Sequence, residues 1–239
     1  MKYVYGITLL LLFVTNLSAA QKKDNDLLRY GLKGNVKTME QTIYAYCKKI
    51  DNKWVATDTP YYVVRLYHFD NKGILQSLED KHINTKTHSI NYTLTKFNYK
   101  DSKLTGSEWF DSTGKKLGES KVKWANDYKY IDRVDDKDKQ VKIETIHLLD
   151  NGYRNENTWM RRYNYNGLEA NIFTHFTYTN GMLTGQILSD SLTGHTYNYI
   201  VEVVEKDAQE NSKETAISIQ PDNGMPAQLI FAKYDYYEE

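Results

Sequence analysis

Six histidines, one cysteine and a cluster of three aspartates are the side chains of this 239-residue chain best suited to chemistry. A metal site on one strand or helix face needs ligands at i, i+2 or i, i+4, because those spacings return to the same face. His68, His82, His88, His147, His175 and His195 offer no such pair. Asp135, Asp136 and Asp138 lack the glycine and terminal glutamate of a calcium loop and read as a solvated turn. Cys47 closes the strand-like run IYAYC. A nucleophilic thiol wants an activating base beside it, so the expectation is a buried strand residue. No G-x-S-x-G elbow, phosphate-binding loop or G-x-G-x-x-G is present. Carboxylate pairs for glycoside hydrolysis depend only on separation in space, and 31 acidic residues leave that possibility open. The inventory predicts no catalytic residue, no metal and no cofactor.

Aromatic residues are the remaining functional candidates. Trp54, Trp109, Trp124 and Trp159, with 21 tyrosines, would supply flat stacking platforms for sugar rings if they shared one exposed sheet face. The alternative is that they fill the core or shield a sheet. Tyrosine favours strands because its ring covers a half-buried pleated surface while its hydroxyl stays wet. With only 3 prolines and 13 glycines, the chain reads as extended antiparallel sheet with one face in water.

The environment of these residues is set at the N-terminus. MKYVYGITLLLLFVTNLSAA has one early lysine, an apolar run from Ile7 to Val14 and small residues at Ser18, Ala19 and Ala20. This is the layout of a secretory signal peptide, with cleavage expected after Ala20. The run is too short for a membrane span, so no transmembrane segment is expected after removal of the leader. The site is not followed by the cysteine of a lipoprotein. The expected location is the periplasm, the cell surface or the medium. Thirty-one basic residues balance 31 acidic ones, which argues against a nucleic-acid partner. A single cysteine excludes an intramolecular disulfide, so packing must hold the fold together.

The elements that must position these residues are strands. DNDLLRYGLKG predicts one short helical turn, stopped by Gly31 or Gly34. Beyond it, VVRLYHF at 63 to 69 alternates, with Val63, Arg65, Tyr67 and Phe69 on one face and Val64, Leu66 and His68 on the other. INYTLTKFNY, KVKW, KIETIHLL, NIFTHFTY, YIVEVVE and QLIFAKY read alike. Short turn signals separate them: DNKG, DSTG, DNG, YNG, TNG and LTG, where Gly, Asn and Asp tolerate positive φ. Asn180-Gly181 predicts a type I′ hairpin turn.

The phrase FNYKDSKLTG at 97 to 106 returns 79 residues later as FTYTNGMLTG at 176 to 185. At the same offset His68 aligns with His147 and Gly73 with Gly152, while DSTG at 111 to 114 answers DSLTG at 190 to 194 with one residue inserted. The predicted fold is all-β: an antiparallel meander of β-hairpins with an internal duplication, in an extended or curved sheet. Its divisions are a signal peptide at 1–20, an N-terminal segment at 21–60, repeat units at 61–139 and 140–218, and a partial third unit with a C-terminal strand at 219–239.

YHFDNKGIL, FNYKDSKLTG, WFDSTGKKLG, YNYNGLEA and FTYTNGMLTG resemble the YD or RHS-type repeat, whose units run aromatic, any residue, aromatic or Tyr, Asp, a Gly turn, then Leu. YGLKGNVKTMEQTIYAY is similar to the opening of exported Bacteroidetes proteins with degenerate repeats of this kind. Only some units keep the Asp, and Lys103 replaces the Gly in one. The resemblance implies a meandering sheet on the cell envelope used for encasing, spanning or binding, and no active site. The leading expectation is a non-catalytic structural or interaction module whose partner is an unidentified envelope component, protein or glycan. A carbohydrate- or lipid-binding module using an aromatic sheet face is the alternative, and an envelope hydrolase the third.

Overall fold

The computed structural model describes residues 26–57, 61–127, 129–135, 141–148, 154–162, 169–179, 182–220 and 227–238. The leader with Ala20 and the Asn180-Gly181 turn lie outside the described residues. One helical turn, α1 (Asp26–Arg29), precedes β1 (Val36–Ile50), β2 (Lys53–Ala56), β3 (Tyr61–Phe69), β4 (Leu75–Asn84) and β5 (Ser89–Lys100). Then follow β6 (Lys103–Phe110), β7 (Lys116–Asn126), β8 (Lys129–Asp135), β9 (Val141–Leu148) and β10 (Arg154–Arg162). The last are β11 (Glu169–Thr179), β12 (Met182–Asp190), β13 (Thr196–Lys206), β14 (Ser212–Gln220) and β15 (Ala227–Tyr236).

From β3 onward each strand pairs antiparallel with its successor in the chain. The ladder then returns on itself. One edge of β1 pairs with β15, as in Met39 with Tyr234 and Ile43 with Ile230, while its other edge pairs with β3 and, near its end, with β2. The curved sheet is therefore a ring in which the first long strand also receives the last. Alternation decides what faces inward. Val63, Arg65 and Tyr67 point into the ring, and Val64, Leu66 and His68 point out.

A recurrent aspartate explains many of the turns. Asp70 Oδ1 accepts from the backbone N–H of Lys72 and Ile74, both at 2.9 Å. Asp111 Oδ1 does the same for Thr113 and Lys115, and Asp207 Oδ1 for Gln209 and Asn211. One carboxylate thus satisfies two backbone donors the turn would leave bare. The fourth residue takes positive φ: Gly73 at 78°, Gly114 at 81° and Glu210 at 69°.

The repeated phrase has a repeated geometry. Phe97 pairs with Ser107, Asn98 with Gly106 and Tyr99 with Leu104, skipping Thr105. Phe176 pairs with Gln186, Thr177 with Gly185 and Tyr178 with Leu183, skipping Thr184. Each skipped threonine returns its hydroxyl to the opposite strand, Thr105 to the Asn98 carbonyl at 2.9 Å and Thr184 to that of Thr177 at 3.3 Å. The match extends outward: His68 pairs with Ser77 and His147 with Glu156, while Gly106 pairs with Lys121 and Gly185 with Ile200. It ends at the next strand, where Ser120 pairs with Val134 but Tyr199 pairs with Ile219.

Residues 26 to 35 cross one end of the ring, here the closed end. Leu27 and Leu32 enter it and pack with Val36, Met39, Tyr67, Phe69 and Leu75. Each such side chain contributes about 1.5–3 kcal/mol by leaving water, so this cluster ties the segment to β1, β3 and β4. Asp26, 4% exposed, fixes its position: its carboxylate accepts from the backbone N–H of Leu75 and the hydroxyl of Tyr99, each at 2.8 Å, and pairs with Arg29 at 2.7 Å. Burial and the adjoining Asp26 carboxylate push the Tyr99 hydroxyl far above the ordinary tyrosine range.

Candidate functional site

The tryptophans do not form one platform. Trp54 lies on the outer surface, where the β1–β2 hairpin folds over the wall and covers Cys47, Ala216 and Leu229. Its indole N–H donates to Glu202 Oε2 at 3.0 Å, and Lys49 Nζ lies 5.3 Å from its ring centroid. Trp109 and Trp124 belong to the inner face, through the pairing of Trp109 with Gly118 and of Trp124 with Tyr130. The Trp109 ring occupies the space where a Cβ on Gly118 would stand, 2.6 Å from the indole. Trp124 donates to the Leu104 carbonyl at 2.8 Å and packs at 4.7 Å on Tyr130. The Arg29 guanidinium sits over this pair, 5.6 Å from Trp124 and 5.9 Å from Tyr130. The backbone of Trp159 pairs with Glu144 and Ile172, and its side chain is outside those described. Three of the four aromatics are thus split between opposite faces, with Trp54 outside and Trp109 and Trp124 inside.

The residues suited to chemistry are also dispersed. His68 is on the outer face, 3.3 Å from Glu79. His82 is on the inner face at the end opposite α1, and His88 and His195 belong to turns there. Among the described residues, no three of His, Cys, Asp and Glu stand together as metal ligands. Cys47 is buried beneath the hairpin, and burial raises its thiol pKa to about 11.

Two features of the interior do form a site. At the open end the inner wall is polar and reached by solvent: Arg65 and Asp80 form an ion pair at 2.8 Å, with exposed His82 and Asn91 beyond them. Toward the closed end an apolar cavity of about 280 Å³ lies between the N-terminal segment and the wall of β11 to β15 and β1. Val201, Ile217, Ile230 and Ala232 line its depth together with Gln41 and Thr215, and Arg29, Glu210 and Ser212 stand at its charged end. Tyr234 lines it too, its hydroxyl spent on the Ser212 carbonyl at 2.8 Å. Beside that end Asn211, 1% exposed, bonds both backbone groups of Lys33 and donates to the Tyr236 hydroxyl. Sequence reading did not single out the cavity residues. The available signal was YIVEVVE and QLIFAKY, whose alternation marks an inner face without saying that the faces opposite stop short of filling it.

The outer wall differs between the two halves. On β5 to β8 it carries Lys96, Glu108, Glu119, Lys121, Lys123 and Arg133. At positions 79 residues on, Glu108 and Lys121 are replaced by Ile187 and Ile200, which are 40% and 38% exposed. Lys116 bridges Glu108 and Glu119 at 2.5 and 2.6 Å, so the charges of β6 and β7 are organised as surface pairs.

No family model and no curated protein matches this chain. Among solved structures it is similar to a porin-like protein from Bacteroides uniformis, at 11% identity and a TM-score of 0.41, over 85% of this chain and 99% of that one.

Proposed function

We propose that the chain is exported and acts in the envelope or medium as a non-catalytic structural or interaction module of YD-repeat-like type. The observation that carries this reading is the ring itself, capped at one end by the chain's own N-terminal segment and open at the other to a polar inner wall. Among the described residues, His68 and the carboxylates of Asp26, Asp70, Glu108 and Glu119 are occupied in the cap, in turns and in surface pairs. The charged outer wall of β5 to β8 suits water: a Lys or Arg facing lipid at the bilayer midplane costs about 2–4 kcal/mol, and this wall carries several. The alternative of a lipid-binding module gains support from the apolar cavity.

The test uses the exported chain recovered from envelope fractions or medium. Its N-terminus should be Gln21, and panels of glycan, peptide and ester substrates should show no turnover. Turnover abolished by one carboxylate, His or Cys substitution would overturn the non-catalytic reading. An intact Met1 terminus on cytoplasmic protein would overturn export.

A further inference from the structure

We propose that the cavity inside the closed end binds the aliphatic tail of a single-chain amphiphile. The inference rests on reading the chain as a binding module and adds the chemical class of its ligand. Two observations converge. The cavity has the right size: about 280 Å³ is roughly twice the ~150 Å³ apolar cavity that stays dry and accepts one benzene ring.

The second observation is the distribution of chemistry over its lining. Most of the deep part is apolar, with Val201, Ile217, Ile230 and Ala232 giving a sugar hydroxyl no hydrogen bond; Gln41 beside Ala232 and Thr215 beside Ile230 are the two polar interruptions. Burying hydroxyls there without partners would cost about 1–3 kcal/mol each on mutational scales. An alkyl chain meets no such penalty. Met39 and Met182, on opposite sides, are the side chains best able to adjust to tails of differing length. The charged groups gather at one end, where Arg29 and Glu210 border the space with Ser212. Glu210 and Tyr30 are exposed there, so a headgroup would remain in contact with water while the tail is inside. Arg29 is held by Asp26 and the Trp124–Tyr130 pair, and Glu210 by Lys206 at 2.8 Å. The headgroup end is thus balanced in charge, which favours an uncharged or zwitterionic head over an anion.

The experiment reads uptake of N-phenyl-1-naphthylamine by the full exported chain, followed by displacement with 1-dodecanol, dodecanoate or maltotriose, all below micellar concentrations. Probe uptake, displacement by dodecanol at lower concentration than by dodecanoate, and no displacement by maltotriose are the expected results. Val203→Trp and Ala232→Phe, each adding bulk to the cavity wall, should weaken uptake at least tenfold, and Lys123→Ala on the outer wall should leave it unchanged. Melting curves identify any variant that fails to fold, and two filling variants keep the test open if one does. The proposal is overturned if the folded wild type takes up no probe, if uptake survives both folded filling variants, or if maltotriose displaces the probe. Such a failure would leave the non-catalytic reading standing, because that reading turns on the substrate panel.

Discussion

Gly106 and Gly185 occupy equivalent places in the two halves of the ring, yet a methyl group should be tolerated at only one of them. A Cβ on Gly106 would stand 2.3 Å from the Ser120 carbonyl oxygen, a backbone atom that cannot swing aside. Reaching an ordinary contact of 3.4 Å requires β6 and β7 to part by about 1 Å, which removes one or two ladder hydrogen bonds worth about 1 kcal/mol each and adds strain of about 1–3 kcal/mol. Restriction of the unfolded chain returns about 0.4–1 kcal/mol. Gly106→Ala should therefore cost about 2–3 kcal/mol. At Gly185 the nearest atom, the Tyr199 carbonyl oxygen, is 3.1 Å away. A shift of a few tenths of an ångström relieves that contact, and the unfolded-state gain offsets most of its cost, so Gly185→Ala should lie within about 0.5 kcal/mol of wild type. Urea unfolding followed by tryptophan fluorescence gives both values from midpoint and slope. Equal costs for the two variants would refute the argument, since it derives the difference from one local distance within a shared register.

Asp101 and Ser102 form the two-residue β5–β6 turn with φ of 51° and 61°, the left-handed region that Asp-Gly supplies without strain. Ser102→Gly should raise stability by about 0.5–1 kcal/mol, and no rise in the urea midpoint would count against a strained turn. Alkaline conditions should weaken the fold from about pH 9 upward. The Cys47 thiol is raised from 9.0 to about 11 by burial, so above pH 9 the unfolded chain releases a proton that the folded chain keeps. Its contribution is complete below 9 and is lost as pH rises through 11. Tyr236, raised to about 12 by burial and its bond to Asp207, extends the decline. Unfolding midpoints between pH 8 and 11 should fall less steeply in Cys47→Ala than in wild type; parallel slopes would contradict the assignment to Cys47.

Local chemistry made much of the ring legible in advance, and its limits are physical. Alternation in VVRLYHF assigned Arg65 and Tyr67 to one face, and the Phe97 and Phe176 phrases gave two hairpins of one register. Asp before Gly marked turns because the carboxylate and the positive φ are local requirements. Closure was not visible, because Met39 and Tyr234 each announce a strand but neither announces the other as partner. The face that each tryptophan takes was not legible for a related reason. Trp109 and Trp124 are on the inner face by the parity of their strands, whereas Trp54 follows a two-residue turn that carries its strand over the outer wall. A cavity is harder still to foresee, since it is a relation among strands that no single strand encodes.

The pairing of β1 with β15 also sets the order of events when this protein is made. Val36 must wait for Tyr236, a separation of about 200 residues, and the entropy of joining such distant points is met before any of their contacts form. Until β15 emerges, β1 and β14 each present a bare row of backbone donors and acceptors. A chain stalled or truncated before Ala227 is therefore a sheet with two adhesive edges, prone to stack on its neighbours. The last ten-residue strand acts as a latch, and a chaperone that shields strand edges would be needed most in the interval before it shuts.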